Sequence, residues 1–140
     1  MSMTLVRPYF ATQCKALSLK EWTDAFNTEN VPGSIVDYSF HVLVNGADGI
    51  KLNQHVQDLD IGATVNFWIK GNRNPVDGLD KSIAKAEDLI KLCLKPSNRL
   101  GTCIKNVILN SVTFDRLAES NDNAIKATLV FTVKTSLAVD

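Results

Sequence analysis

Two histidines, three cysteines and a few acidic pairs are the side chains of this chain with chemistry to offer, and their spacing decides how far each one goes. His41 sits in an alternating apolar and polar stretch. A general base needs a positioned proton to abstract, and nothing around His41 sets up that geometry, so a strand-face imidazole at solvent or an interface is the expectation. His55 falls in a polar stretch without a companion. Cys14, Cys93 and Cys103 form no CxxC pair, and an odd count argues against a closed disulfide framework. Cys93 lies on the apolar face of a helical pattern and Cys14 in an amphipathic stretch, where a free thiol behaves as a small hydrophobe. Zinc needs about four ligands at suitable spacing, and His41 and His55 do not complete such a set. Asp58 with Asp60, and Glu119 with Asp122, lack the ligand-and-glycine pattern of a calcium loop, so both pairs read as solvated loop charge. No serine stands in a GxSxG elbow, and Gly71-Asn72-Arg73 has no further glycine at phosphate-cradling spacing; it reads as a turn. The sequence predicts no catalytic, cofactor-binding or metal-binding residue.

Composition narrows the class of partner. Lys and Arg number 15 and Asp and Glu also 15, so the whole-chain field that would gather nucleic acid or an anionic membrane is missing. A chain of 140 residues that is 45% hydrophobic fits a single domain, 1–140, burying roughly 68% of its unfolded surface. Met1 to Tyr9 lacks the charged and apolar regions of a signal peptide, and no apolar run approaches the ~20 residues of a spanning helix. Folding in the cytoplasm, away from the membrane, is the expectation.

The elements that must position these residues follow from periodicity. Val6, Phe10, Cys14 and Leu17 recur at helical spacing, with Pro8 suited to a first turn, predicting a helix over about Leu5 to Leu17. Ser18 with Glu21 reads as a capping box opening a second, short helix that carries Leu19, Trp22 and Phe26 on one face and ends at Pro32-Gly33. Ile35 to Val44 alternates as a first strand. Asn45-Gly46-Ala47-Asp48-Gly49 is turn chemistry, and the stretch to Asp60 reads as a long polar loop. Ile61 to Lys70 alternates strictly: Ile61, Ala63, Val65, Phe67 and Ile69 against Gly62, Thr64, Asn66, Trp68 and Lys70. Asp77 is a plausible N-cap for a helix reaching Leu94, with Leu79, Ile83, Ala86, Ile90 and Cys93 as its seam and Pro96 as its stop. About Cys103 to Phe114 is a strand apolar on both faces, expected to be central or covered twice. Ile125 to Lys134 is the last strand, alternating like the second.

Helix, short helix, strand, strand, helix, strand, strand predicts an α+β fold: one two-layer domain with a four-stranded mixed or antiparallel sheet and helices packed on one face. The other face stays largely polar yet holds Leu43 and Trp68, and Trp is enriched where proteins meet. Ile50, Leu52 and Val56 in the long loop would be awkward left in water. Leu43, Ile50, Leu52, Val56 and Trp68 are therefore the candidate interface. A different class is a small α+β enzyme or ligand-binding domain with His41 and Trp68 on the floor of a pocket.

The element order, the size and the long loop between the first two strands resemble the tail terminator, or tail completion, proteins of long-tailed bacteriophages of the lambda type. Arg7-Pro8-Tyr9-Phe10, Glu21-Trp22, Asn30-Val31-Pro32 and Gly71-Asn72-Arg73-Asn74-Pro75 look like segments of phage neck and tail proteins. The resemblance covers most of the chain from Leu5 onward. It implies a virion protein assembled in the host cytoplasm as a homohexameric ring, capping the tail tube. Its implied partners are the major tail tube protein and a head completion or neck protein, with DNA passing through the ring without specific binding and without cofactors. A head-tail connector or neck adaptor of similar fold is the related alternative. A radius of gyration of roughly 14 Å is too small for one copy to enclose a duplex, so passage would need a ring.

Overall fold

Val6, Phe10 and Cys14, spaced four apart, put three apolar side chains on one side of a helix, and Val6–Ala16 forms that helix, α1, with all three buried. A computed structural model describes residues 3–22, 36–50, 56–71, 75–100, 102–117 and 124–138. After α1 come β1 (Lys20–Glu21), β2 (Ser39–Ile50), β3 (Val56–Lys70), α2 (Pro75–Leu94), β4 (Ile104–Arg116) and β5 (Ala124–Ala138). Short 3₁₀ turns, Met3–Leu5 and Pro96–Arg99, precede α1 and follow α2.

The end of α1 overturns the capping-box reading. Ser18 lies at φ 65°, in the left-handed region, and its N–H donates to the Lys15 carbonyl at 3.0 Å while the Leu19 N–H returns to the Cys14 carbonyl at 3.2 Å. These two bonds are a Schellman motif, in which Ser18 takes the place usually given to glycine. Buried Leu19 packs into the same core as Cys14, the apolar contact that accompanies such a cap. Ser18 therefore closes one helix instead of opening another, and Lys20–Glu21 runs extended as a fifth strand, paired parallel with Ser39 and Phe40. Phe26 and the rest of the expected short helix lie outside the described residues.

The sheet is mixed, in the order β1-β2-β3-β5-β4, with every pair but the first antiparallel. Two further expectations are corrected here. The long loop is largely strand: β2 and β3 continue the hairpin through Ile50↔Asp58, with a bulge between Val44 and Gly46 that lets the ladder resume despite the turn-forming residues. Gly46 takes φ 150° there, a conformation open to glycine. The strand expected to be central, β4, is instead at the edge. Its register shifts between Ile104 and Asn106 and between Leu109 and Ser111. Those bulges change which residues face inward, so most of the apolar residues that looked two-sided at a strict period of two serve one face: Ile104 and Val107 are buried, and Leu109, Val112 and Phe114 pack against the core, while Ile108, opposite Thr132, stays 38% exposed on the other.

Both helices contribute to the apolar core over one face of the sheet. Phe40, Ile61, Val65, Phe67, Leu129, Phe131 and Val133 rise from the strands to meet Val6 and Phe10 of α1 and Ala86, Leu89 and Cys93 of α2. The Phe10 and Phe131 rings lie 4.9 Å apart. Tyr9 ties the helices together, its hydroxyl donating to the Cys93 carbonyl at 2.6 Å. Leu79 and Ile83, expected within the α2 seam, are each 37% exposed. Pro75 starts α2, and Asp77 stands within its first turn, 2.9 Å from Lys81 one turn on.

Candidate functional site: the open face of the sheet

Cross-strand register assembles the polar side chains of β2 to β5 into rows. His41, Asn66, Thr128 and Thr113 share one row; Leu43, Thr64, Val130 and Ser111 the next; Asp48, Asp60, Lys134 and Asn106 another. Thr suits such a face because its β-branched side chain fits the pleat and its hydroxyl bonds across the ladder, and Asn, ordinarily depleted in strands, bonds there through its amide. Thr128 donates to the Asn66 side-chain oxygen at 3.0 Å, Asn45 to the Thr64 hydroxyl at 2.6 Å, and Asn110 to the Thr132 hydroxyl at 2.7 Å.

Two ion pairs on this face run across strands. Lys134 on β5 lies 3.2 Å from Asp60 on β3, and Lys105 on β4 lies 2.9 Å from Asp58. Asp58 also accepts the Ser136 hydroxyl at 2.5 Å. The Ser136 hydrogen bond, followed by that of Lys105, holds the Asp58 carboxyl below the ordinary aspartate range. Asp58 and Asp60, read from the sequence as solvated loop charge, are thus strand residues in ion pairs. Each pair is partly exposed, where water screens the attraction, so their main consequence is local neutrality.

One end of the face is covered. Trp68 is fully buried and meets Trp22 edge-on, ring centroids 4.8 Å apart at 81°, with Ala124 and Leu117 beside them. Lys126 Nζ sits 5.8 Å from the Trp68 ring centre. Trp68 Nε1–H has no acceptor among the described residues. A buried donor left unpaired costs about 1–3 kcal/mol. Burial places Trp68 in a small second core, away from the interface role expected of it. Leu43 is half-buried in the open rows, and His41 stands across from Asn66. Ile50 ends β2 and Val56 begins β3, while Leu52 and His55 lie outside the described residues. The turn after Gly71 and the Glu119–Asn123 tip fall largely or wholly outside them as well.

The thiols divide by burial. Burial alone pushes the Cys14 thiol up to about 12, and burial, with Cys14 adding to it, raises Cys93 further still. Both stay protonated and apolar, as their helical positions led one to expect. Tyr9 beside them is raised to about 12, chiefly by burial. Cys103 is exposed.

The paired rows were only half legible from sequence. Thr64, Asn66, Thr128, Thr132 and Lys134 appear there as the polar positions of two strands, but the adjacency of β3 and β5, which are not consecutive, sets who faces whom. Opposite charges at matching depth, Asp60 and Lys134, are the one signal that could have found it. Among the described residues no helix is long and apolar enough to cross a membrane. No protein-family model matches this chain, and no curated protein matches it.

Proposed function

We propose that this chain is a structural protein of a phage virion, one two-layer domain that assembles into a ring, caps the tail tube and joins it to the head or neck. It acts by assembly and not by catalysis, and hexamer is the favoured ring. The observation that carries this reading is the open face: long strands present hydroxyls and amides, with Lys134 held by Asp60 and Lys105 by Asp58. Phosphate backbones are gripped by lysines and arginines that replace counterions. A conduit that passes DNA works best when its cations are already neutralised, as Lys134 and Lys105 are here. The layout resemblance adds the tail tube protein and a head completion or neck protein as neighbours, with location in the virion after assembly in the host cytoplasm.

Incubating the protein with uncapped tail tubes and imaging the mixture tests the reading. A ring seated on tube ends is expected, and a protein that leaves every tube end bare refutes the capping role. Attachment at the portal end instead assigns it to the neck.

A further inference from the structure

The apolar surface of α2 reaches beyond the last strand of the sheet. The buried side of this helix runs through Ser82, Ala86, Leu89 and Cys93, but Val76, Leu79 and Ile83, spaced three and four apart, form a second stripe exposed at 65%, 37% and 37%. Val76 and Leu79, with Phe114, Arg116 and Ile125, line a trough of about 250 Å³. It lies beside β4, whose outer edge pairs with no strand among the described residues. Bulges usually blunt such an edge, and both bulges of β4 lie before Ser111. From Ser111 to Arg116 the ladder is regular, next to the trough. A sixth strand laid there would gain main-chain bonds from β4 and cover Phe114 and the α2 stripe.

We propose that a second copy of this chain supplies that strand through β2, in a head-to-tail contact. The claim rests on the self-assembly reading above and names the surfaces that carry it. Beyond its two residues paired with β1, β2 also has a free outer edge among the described residues, from Val42 to Gly49. Three successive antiparallel pairings make β2 and β4 opposite in direction, so neighbouring copies with their helices on the same side meet antiparallel. Val44, 37% exposed on the helix-covered face of β2, adds an apolar side chain to the shared layer. Charge also matches. Arg7 and Lys15 gather around Glu21 of β1, next to exposed Lys20, so cations outnumber the acid at the β1 end of this flank, while Asp48 is the one charge on the free stretch of β2 itself. Beside the α2 stripe, Asp80 and Glu87 are exposed and have no cation partner among the described residues. Two different surfaces meet in such a contact, so each added copy leaves one of each free until a ring closes.

Sedimentation and light scattering of the full chain from micromolar concentrations upward test the contact. Leu79→Asp with Ile83→Asp should weaken association about a hundredfold or more, since both replace exposed apolar contacts, while circular dichroism confirms an unchanged fold. Asp80→Lys with Glu87→Lys should weaken it about tenfold, and Lys15→Glu with Lys20→Glu in the same chain should restore it. Wild-type protein that stays monomeric, assembly that stops at a twofold dimer, or the Leu79/Ile83 variant assembling like wild type each overturns the proposal. Rings of that variant on tube ends would sink the surface and keep the capping function. Wild-type rings that ignore tube ends, yet are lost in the variant, would do the reverse.

Discussion

The two faces of the same strands are built by different rules. Toward the helices, Phe131 and Val133 on β5 are fully buried among aromatic and aliphatic neighbours. On the opposite side, the intervening Val130, Thr132 and Lys134 are half-exposed, and Thr132 and Lys134 find a polar and an ionic partner across the ladder. One face stabilises by removing apolar area from water, roughly 25 cal/mol per Å². The other gains little net energy from exchanging water for protein partners, about 0.5–1.5 kcal/mol per hydrogen bond, and is kept for the surface it presents. Trp68 breaks the division, because at its end of the sheet the polar side has a core of its own.

The largest expected effects test whether burial, and not the choice of face, sets stability. Phe131→Ala should cost about 3–5 kcal/mol in urea unfolding, and Trp68→Ala on the opposite face should cost about the same. Val130→Ala, next in sequence to Phe131, should cost about 1 kcal/mol or less, because its side chain remains half in water. A Trp68 variant as mild as the Val130 one would show that the tryptophan pair is not a core.

Within the open rows, Thr128→Val keeps the side-chain shape and removes the hydroxyl that bonds Asn66, itself 95% buried from its 5% exposure. The same denaturation measurement should register about 1–3 kcal/mol, the cost of leaving the buried Asn66 oxygen without its donor. No change would mean that the rows are decoration, satisfied equally well by water.

Much of the covered face was legible in the sequence because burial enforces a period. The alternation of Ile61 to Ile69 and of Ile125 to Val133, and the four-residue spacing of Val6, Phe10 and Cys14, each name residues that the fold buries. Legibility failed where a local backbone event broke the period. Two bulges turned most of the apparently two-sided apolar residues of β4 toward one face, and a left-handed Ser18 turned a start signal into a stop. Asn45-Gly46 looked like the end of a strand, whereas the bulge at Gly46 carries β2 onward. The open face was less legible still, since its pairing depends on which distant strands lie side by side.

Ser18 offers a direct check on that second failure. A non-glycine residue in the left-handed region carries roughly 1–2 kcal/mol of strain, partly offset by the extra unfolded-state freedom that glycine brings. Ser18→Gly should therefore stabilise the protein by about 0.5–1 kcal/mol in urea. A loss of stability would restore the reading of Ser18 as a helix start.

The smallest expected effect concerns the ionic border of the open face. Asp58 is held below the ordinary aspartate range by Ser136 and Lys105, so its folded form binds a proton less readily than its unfolded form. Its contribution is present above the unfolded value, about pH 4, and is lost as pH falls through the lowered folded value. In Asp58→Asn there is no carboxylate to protonate, and the Ser136 and Lys105 contacts weaken at every pH. The variant should begin slightly less stable at neutral pH, and its urea midpoint should then fall less steeply below about pH 4, so the two curves converge in acid. Parallel curves through that range would mean that Ser136 and Lys105 do not hold the carboxylate in solution. The border of the face would then be charged in fact and not only in composition, and neutrality could no longer support a passive conduit.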